Sequence, residues 1–239
     1  MRFTTVADGE AAAMRAAQSV AREVSAAVAA RGVAHLALAG GSTPRRCHEH
    51  LAPLIDDWMP IHIWLSDERA VPPNDDDSNF KMVCESLLDR IDIPAGNVHR
   101  PRGEDGAEVA ADGYETDVRE TVGGNGAPAL DVIMCGLGED GHTCSLFPGH
   151  DEIHIEDRLV APVHDAPKPP PDRITFTFPL LHAARRLILL AAGASKADAM
   201  AAVIAGPDPH VPASLLRFGR LEVIADAAAA PSRPGHQTR

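Results

Sequence analysis

Apolar and polar positions along this chain follow two different periods. Residues 10–31 are Ala-rich, with Val20, Val24 and Val28 at helical spacing, which predicts a helix packed on something larger. Short apolar runs follow at 35–39, 61–65, 131–135, 158–163, 186–191 and 221–225. Each is strand-sized and bounded by turn residues. Residues 173–178 alternate as a further strand.

Helical patterns fill the gaps. Pro44 suits the first turn of a helix capped by Ser42 or Thr43. Ser78 opens a helix carrying Val83, Leu87 and Leu88, with Asp76 or Asp77 as its expected cap. A short extended piece near Val98 precedes a helix over 105–121, and another helix covers 195–204. Lys168 and the three prolines after it cannot sit inside a helix and are read as a loop. This order predicts an α/β fold: a largely parallel, Rossmann-like sheet with helices on both faces, a three-layer sandwich. No repeat or linker divides the chain, so 1–230 is expected to form one domain and 231–239 a disordered tail.

Composition narrows the function classes. A chain of 239 residues with 45% hydrophobic and 23% charged positions suits a single sizeable core. No apolar run approaches the ~18 residues of a membrane helix, and the N-terminus lacks an apolar signal core, so the expected location is cytoplasmic. Cys47, Cys84, Cys135 and Cys144 show no Cys-x-x-Cys spacing and are read as reduced thiols. A net charge of −12 argues against a general nucleic-acid surface. An anionic ligand would therefore need a local group of cations.

In open parallel sheets, ligands bind beyond the carboxyl ends of the strands. Four unusual segments fall there: 40–44, 66–79, 136–148 and 193–196. Gly40-Gly41-Ser42-Thr43, after a strand and before a helix, is either a phosphate cradle of N–H groups and hydroxyls or a plain helix cap. The glycines at 136, 138 and 141 match a dinucleotide pattern, but Glu139 and Asp140 would repel a pyrophosphate, and Pro148 interrupts any following helix. Asp140 and His142 stand two apart, where a carboxylate can orient an imidazole for proton transfer. Asp67-Glu68-Arg69 is a site element or a solvated charge cluster. Asp75-Asp76-Asp77 lacks the glycine and distant glutamate of a calcium loop. Arg173 and Lys196 are candidate cations for a phosphate. His48 and His50, two apart on a helix, are read as surface residues.

Taken together, the motifs resemble 6-phosphogluconolactonases of the family that also contains amino-sugar 6-phosphate isomerases. They are Leu38-Ala-Gly-Gly-Ser-Thr-Pro44, Trp64-Leu-Ser-Asp-Glu-Arg-Ala-Val71 with Asp77-Ser-Asn79, and Gly136-Leu-Gly-Glu-Asp-Gly-His-Thr-Cys-Ser-Leu-Phe-Pro148. Arg173-Ile-Thr175, Gly193-Ala-Ser-Lys196 and Pro212-Ala213 follow in the family's order.

The resemblance implies hydrolysis of 6-phospho-D-glucono-1,5-lactone to 6-phosphogluconate in the oxidative pentose phosphate pathway, with no metal or organic cofactor. It implies His142 and Asp140 as the proton-transfer pair. It implies Gly41, Ser42, Thr43, Arg69, Arg173 and Lys196 as the substrate and phosphate contacts. Asp67 and Asn79 are expected to support Arg69 or meet sugar hydroxyls, and Gly138 and Gly141 to shape the histidine loop. The expected partner is a small phosphorylated lactone, with no nucleic acid or membrane, bound by a monomer or small homo-oligomer. The isomerases carry an Asn-Glu-Pro ending to the histidine loop. Here Phe147 stands five after His142, and Arg69 replaces their usual aromatic residue, which favours the lactonase. Cys144 departs from the family's usual alanine, a small change expected to be tolerated. The alternatives are an isomerase/deaminase, a non-catalytic sugar-phosphate-binding protein and a nucleotide-dependent oxidoreductase.

Overall fold

The computed structural model describes residues 1–123 and 128–231, so the expected disordered tail lies, but for its first residue, outside the described residues. The chain opens with an edge strand, β1 (Arg2–Val6), followed by α1 (Gly9–Arg31). The Asp8 carboxylate caps α1 by accepting from the Ala11 N–H at 2.8 Å, and Gly32 ends it in the left-handed region at φ 77°. The next elements are β2 (Ala34–Leu38), α2 (Ser42–Leu51), β3 (Ile61–Leu65), β4 (Asp67–Arg69), α3 (Asn79–Ser86) and α4 (Ala107–Val122). Then come β5 (Val132–Gly136), β6 (Val160–Val163), β7 (Arg173–Phe176), α5 (Phe178–Ala183), β8 (Leu187–Ala191), α6 (Ala197–Ala205), α7 (Pro212–Leu215) and β9 (Leu221–Asp226).

Six strands form one parallel sheet in the order β1-β9-β8-β5-β2-β3. Its inner strands are apolar on both faces, as a sheet covered on both sides requires. Leu36, Leu38, Val132, Met134, Ile188 and Leu190 meet Ala12, Ala16, Val20 and Val24 of α1 and Leu51 of α2. The alternate residues Ala37, Ile133, Cys135, Leu187 and Leu189 face α4, α5, α6 and strands β6 and β7. Alanine on α1 lets that helix lie close to the sheet. This arrangement bears out the expected largely parallel α/β sheet with helices on both faces.

Three of its details differ from the sequence reading. First, β4, β7 and β6 leave the main sheet and form a second, antiparallel one in the order β4-β7-β6. Local pattern reveals a strand but not its partner. Second, Pro44 lies in the first turn of α2 as expected, but the cap is Gly41, at φ 106° and with no side-chain capping bond, rather than Ser42 or Thr43. Likewise Ser78, rather than Asp76 or Asp77, caps α3 by accepting from the Lys81 N–H. Third, His48 is fully buried while His50 is partly exposed and bonded to Glu10. The helix α2 is covered by α1 on one side and α3 on the other, so a two-residue step does not bring His48 to solvent.

Candidate active site

The chain leaves the main sheet at Ser66. The Ser66 N–H donates to Leu38 O at 2.8 Å, and its carbonyl accepts from the Phe176 N–H at 2.9 Å, which stitches the two sheets together. That junction brings β4 beside the ends of β2 and β5. A cavity of about 190 Å³ opens there, lined by Gly41, Asp67, Arg69, Asn79, Gly138, His142, Arg173 and Lys196 among others. Eight of the twelve residues singled out from sequence thus share one hollow at the carboxyl edge of the sheet. Ser42 lines an adjoining hollow that shares Gly41, Arg69 and Asn79 with the first. Thr43 lies in the first turn of α2, and Asp140 and Gly141 stand behind His142, outside the cavity wall.

The histidine loop is held by its own backbone. The Gly138 N–H donates to His142 O (2.8 Å), the Gly141 N–H to Gly138 O (3.1 Å), and Gly141 O accepts from the Ala213 N–H (3.0 Å). Gly141 needs its glycine, because φ is +86° and a Cβ would meet Val211 at 2.8 Å. Within this frame Nδ1 of His142 lies 2.5 Å from Asp140 Oδ1. Burial pushes the Asp140 carboxyl up, but the bond to His142 and that residue's charge outweigh it and hold the group at about 2. Nδ1 is thereby engaged, which leaves Nε2 as the nitrogen for a substrate or water. The other flank of the ring packs on Phe147, with centroids 4.7 Å apart.

The cations converge through the antiparallel sheet. Arg69 and Arg173 are direct partners in the β4–β7 register. Like charges opposite each other across a ladder oppose folding, so this pairing is expected where an anion is to be held. Burial pushes the Arg173 guanidinium below its usual range, and Arg69 adds to the effect. The Arg173 guanidinium lies 5.6 Å above the Phe147 ring. Lys196 stands 3.9 Å from Glu139. The first bond within α2 runs from the Arg45 N–H to Gly41 O (2.9 Å), so the N–H groups of Ser42 and Thr43 remain open at a positive helix end.

The support for Arg69 differs from expectation. Its Nη1 donates to Asp77 O at 2.6 Å, rather than to Asp67 or Asn79. Asn79 instead donates to the carbonyl and carboxylate of Asp67, at 2.9 and 3.3 Å, and Ser145 Oγ donates to Asp67 Oδ2 at 2.8 Å. The sequence reading missed Glu68 as an individual residue. Its buried carboxylate accepts from the N–H groups of Arg69, Asn79 and Phe80, each at 2.7 Å, and from Ser78 Oγ at 3.1 Å. Burial pushes that carboxyl up against the four bonds that favour the ion. Glu68 ties α3 to β4 and so sets both Arg69 and Asn79. Asp67, Glu68 and Arg69 are all charged and show no alternation, so no local pattern singled Glu68 out. Gly40 was legible only as part of a loop, yet a Cβ there would strike the Asn79 amide. Lys168, which the sequence places only in a proline-rich loop, lines the cavity. Among the described residues no three His, Cys, Asp or Glu side chains are grouped as metal ligands.

A cationic hollow at the carboxyl edge of a parallel sheet, with an oriented histidine in its wall, is an arrangement able to hold a small anionic molecule beside a group capable of proton transfer. The chain belongs to the family of glucosamine-6-phosphate isomerases and 6-phosphogluconolactonases, whose sequence profile matches residues 7–225. It is 40% identical over 200 residues to the 6-phosphogluconolactonase of Mycobacterium tuberculosis, covering 80% of this chain and 81% of that one. Against the Nostoc 6-phosphogluconolactonase it is 37% identical, covering 93% and 94%. It is 38% identical to 6-phosphogluconolactonase 3 of Arabidopsis thaliana, a chloroplastic protein, but spans only 57% of that relative's length. The solved 6-phosphogluconolactonase of Thermotoga maritima superposes with a TM-score of 0.83 at 29% identity, covering 94% of this chain and 98% of that one. A monomeric glucosamine-6-phosphate deaminase shares the fold, with a TM-score of 0.81 at 22% identity.

Proposed function

We propose that this protein hydrolyses 6-phospho-D-glucono-1,5-lactone to 6-phosphogluconate. The observation that carries the reading is the surrounding of His142. Its Nδ1 is bonded to Asp140 and its ring packs on Phe147, which is 1% exposed and cannot transfer a proton. The histidine therefore acts with one carboxylate behind it and a hydrocarbon beside it. This suits activation of a single water rather than the two-group proton shuttling of ring opening and isomerisation.

A lactone is an activated ester, so a general base and water suffice. Neutral His142 accepts a proton at Nε2 as water oxygen bonds to C1. Asp140 keeps the ring oriented and stabilises the imidazolium. The C1–ring oxygen bond then breaks, and His142 returns its proton to the departing oxygen. The acid product ionises in water, and no covalent enzyme intermediate is needed. The N–H groups of Gly138 and Gly141 are committed within the loop, so the developing oxyanion falls to a neighbouring cation or to the remaining loop N–H groups. Arg69, Lys196 and the open end of α2 at Gly41, Ser42 and Thr43 hold the phosphate. Asp67 and Asn79 meet sugar hydroxyls.

The test is consumption of lactone generated in situ, followed above its spontaneous hydrolysis. Acceleration supports the reading. No acceleration, or ammonia released from an amino-sugar 6-phosphate, overturns it.

A further inference from the structure

The loop between β6 and β7 carries no local signal beyond its helix-breaking prolines, and the proposed mechanism leaves it unused. In the structure it arches onto the cavity. Its ends are tied by the Ala166 N–H donating to Pro171 O at 3.0 Å and by His164 Nδ1 facing Asp172 Oδ1 at 2.8 Å. Pro169, Pro170 and Pro171 fix three successive φ angles. Arg173 then locks the crest: Nη2 donates to Lys168 O at 2.8 Å and Nε to Pro170 O at 3.1 Å. Two of the three nitrogens of that guanidinium are thus spent on the loop. What the loop delivers to the cavity wall is Lys168.

Lysine is scarce in this chain: it has three, at 81, 168 and 196, among 22 cationic side chains. Lys168 and Lys196 line the cavity, and Lys81 lines the adjoining hollow. Lys196 faces Glu139 and Lys81 faces Asp76, whereas Lys168 has no ion-pair or hydrogen-bond partner for its ammonium among the described residues. A compact ammonium on a flexible stem can follow a phosphate that a rigid fork cannot.

We propose that Lys168 is a further substrate-binding residue. Arg173 is the positioning residue that holds it there and acts on the substrate mainly through it. This rests on the reading of the substrate as a phosphorylated lactone. Lys168 engages the phosphate, and the mechanism at C1 does not use it.

The experiment compares wild type, Lys168→Ala, Lys168→Arg, Arg173→Ala and the double alanine variant. KM and kcat are measured on the phosphorylated lactone and on unphosphorylated D-glucono-1,5-lactone. Binding of inorganic phosphate is measured by calorimetry. Lys168→Ala is expected to raise KM for the phosphorylated lactone by about tenfold, with kcat within about twofold, as loss of one charge-assisted contact does. Lys168→Arg restores most of the loss. Kinetics on the unphosphorylated lactone do not change. The double variant is expected to be little worse than Arg173→Ala, because the two residues act as a unit. An unchanged KM in Lys168→Ala, or an equal rise on both lactones, overturns the binding role. Additive losses overturn the positioning role of Arg173. If wild type hydrolyses neither lactone, the reading of the reaction fails. Phosphate binding then decides for Lys168: weaker binding in Lys168→Ala supports it, and equal binding refutes it.

Discussion

Gly138→Ala separates the histidine pair from the fold that carries it. A Cβ at 138 would lie nearer than 3.0 Å to Nδ1 and Cε1 of His142 and to Oδ1 of Asp140. Ordinary contact at about 3.5 Å requires the side chains to retreat by about 1–1.5 Å, His142 the further. The backbone at 138 is not in the left-handed region, so alanine adds no φ strain. The atoms to be displaced are side-chain ends, with His142 and Asp140 side chains 20% and 40% exposed. The stability cost should therefore stay near 1 kcal/mol, a Tm shift of about 2–4 °C for a chain of this size. Catalysis should suffer far more, since a misplacement of about 1 Å costs on the order of 10²-fold. The cations proposed to hold the phosphate are untouched, so KM should change little. The assay is lactone hydrolysis at several substrate concentrations, with circular dichroism and a thermal melt on the same samples. A kcat within about threefold of wild type in a folded Gly138→Ala protein would refute the claim that this pair, in this position, does the chemistry.

Two further expectations concern stability. Glu68→Ala leaves three N–H groups, one buried and two part-buried, without their acceptor. It should cost about 3 kcal/mol, visible as a lowered urea midpoint, and should weaken substrate binding through Arg69; an unchanged midpoint would show that Glu68 does not organise α3. Burial holds His48 down to about 3, and burial followed by the charge of His62 holds His35 down to about 4, both from 6.5. The unfolded chain therefore binds more protons than the folded one between these values and pH 6.5. Stability is full above pH 6.5 and falls on acidification through that window, by on the order of 3 kcal/mol or more for each residue. Tm measured from pH 7 to pH 4 should drop, and His48→Gln should flatten the slope; equal slopes would contradict the buried neutral state of His48.

What the sequence disclosed follows a physical rule. The Val20/Val24 stripe of α1 and the apolar runs of β2, β3, β5, β8 and β9 are local signals, and they appear where expected. β1 was not found, because Arg2–Val6 is a polar edge strand whose pairing with β9 brings together opposite ends of the chain. The strands at 158–163 and 173–178 were visible, but β4 and the antiparallel β4-β7-β6 pairing were hidden, since Asp67 meets Thr175 only after more than a hundred residues of chain. The Asp140/His142 pair and the glycine-rich loops stood out by type and spacing, whereas Asp67 and Arg69 stayed open between site and solvated cluster, and Asn79 came forward only through the family resemblance. Lys168 did not, because a proline-rich loop carries no signal of what lies beneath it. Its role depends on two bonds from Arg173 that only the fold supplies. His48 misled for a related reason: helical periodicity names the faces of α2 but not that two of them are covered.

The central claim is that His142 activates water for attack on a phosphorylated lactone. The most direct test follows lactone loss, generated in situ from glucose 6-phosphate, for wild type and His142→Ala side by side. The account predicts that wild type accelerates hydrolysis well above the spontaneous rate, and that His142→Ala retains its fold and loses about 10²–10⁴-fold in turnover. Equal turnover by both proteins would contradict the assignment of the base and turn attention to Asp67, and acceleration by neither would contradict the reaction itself.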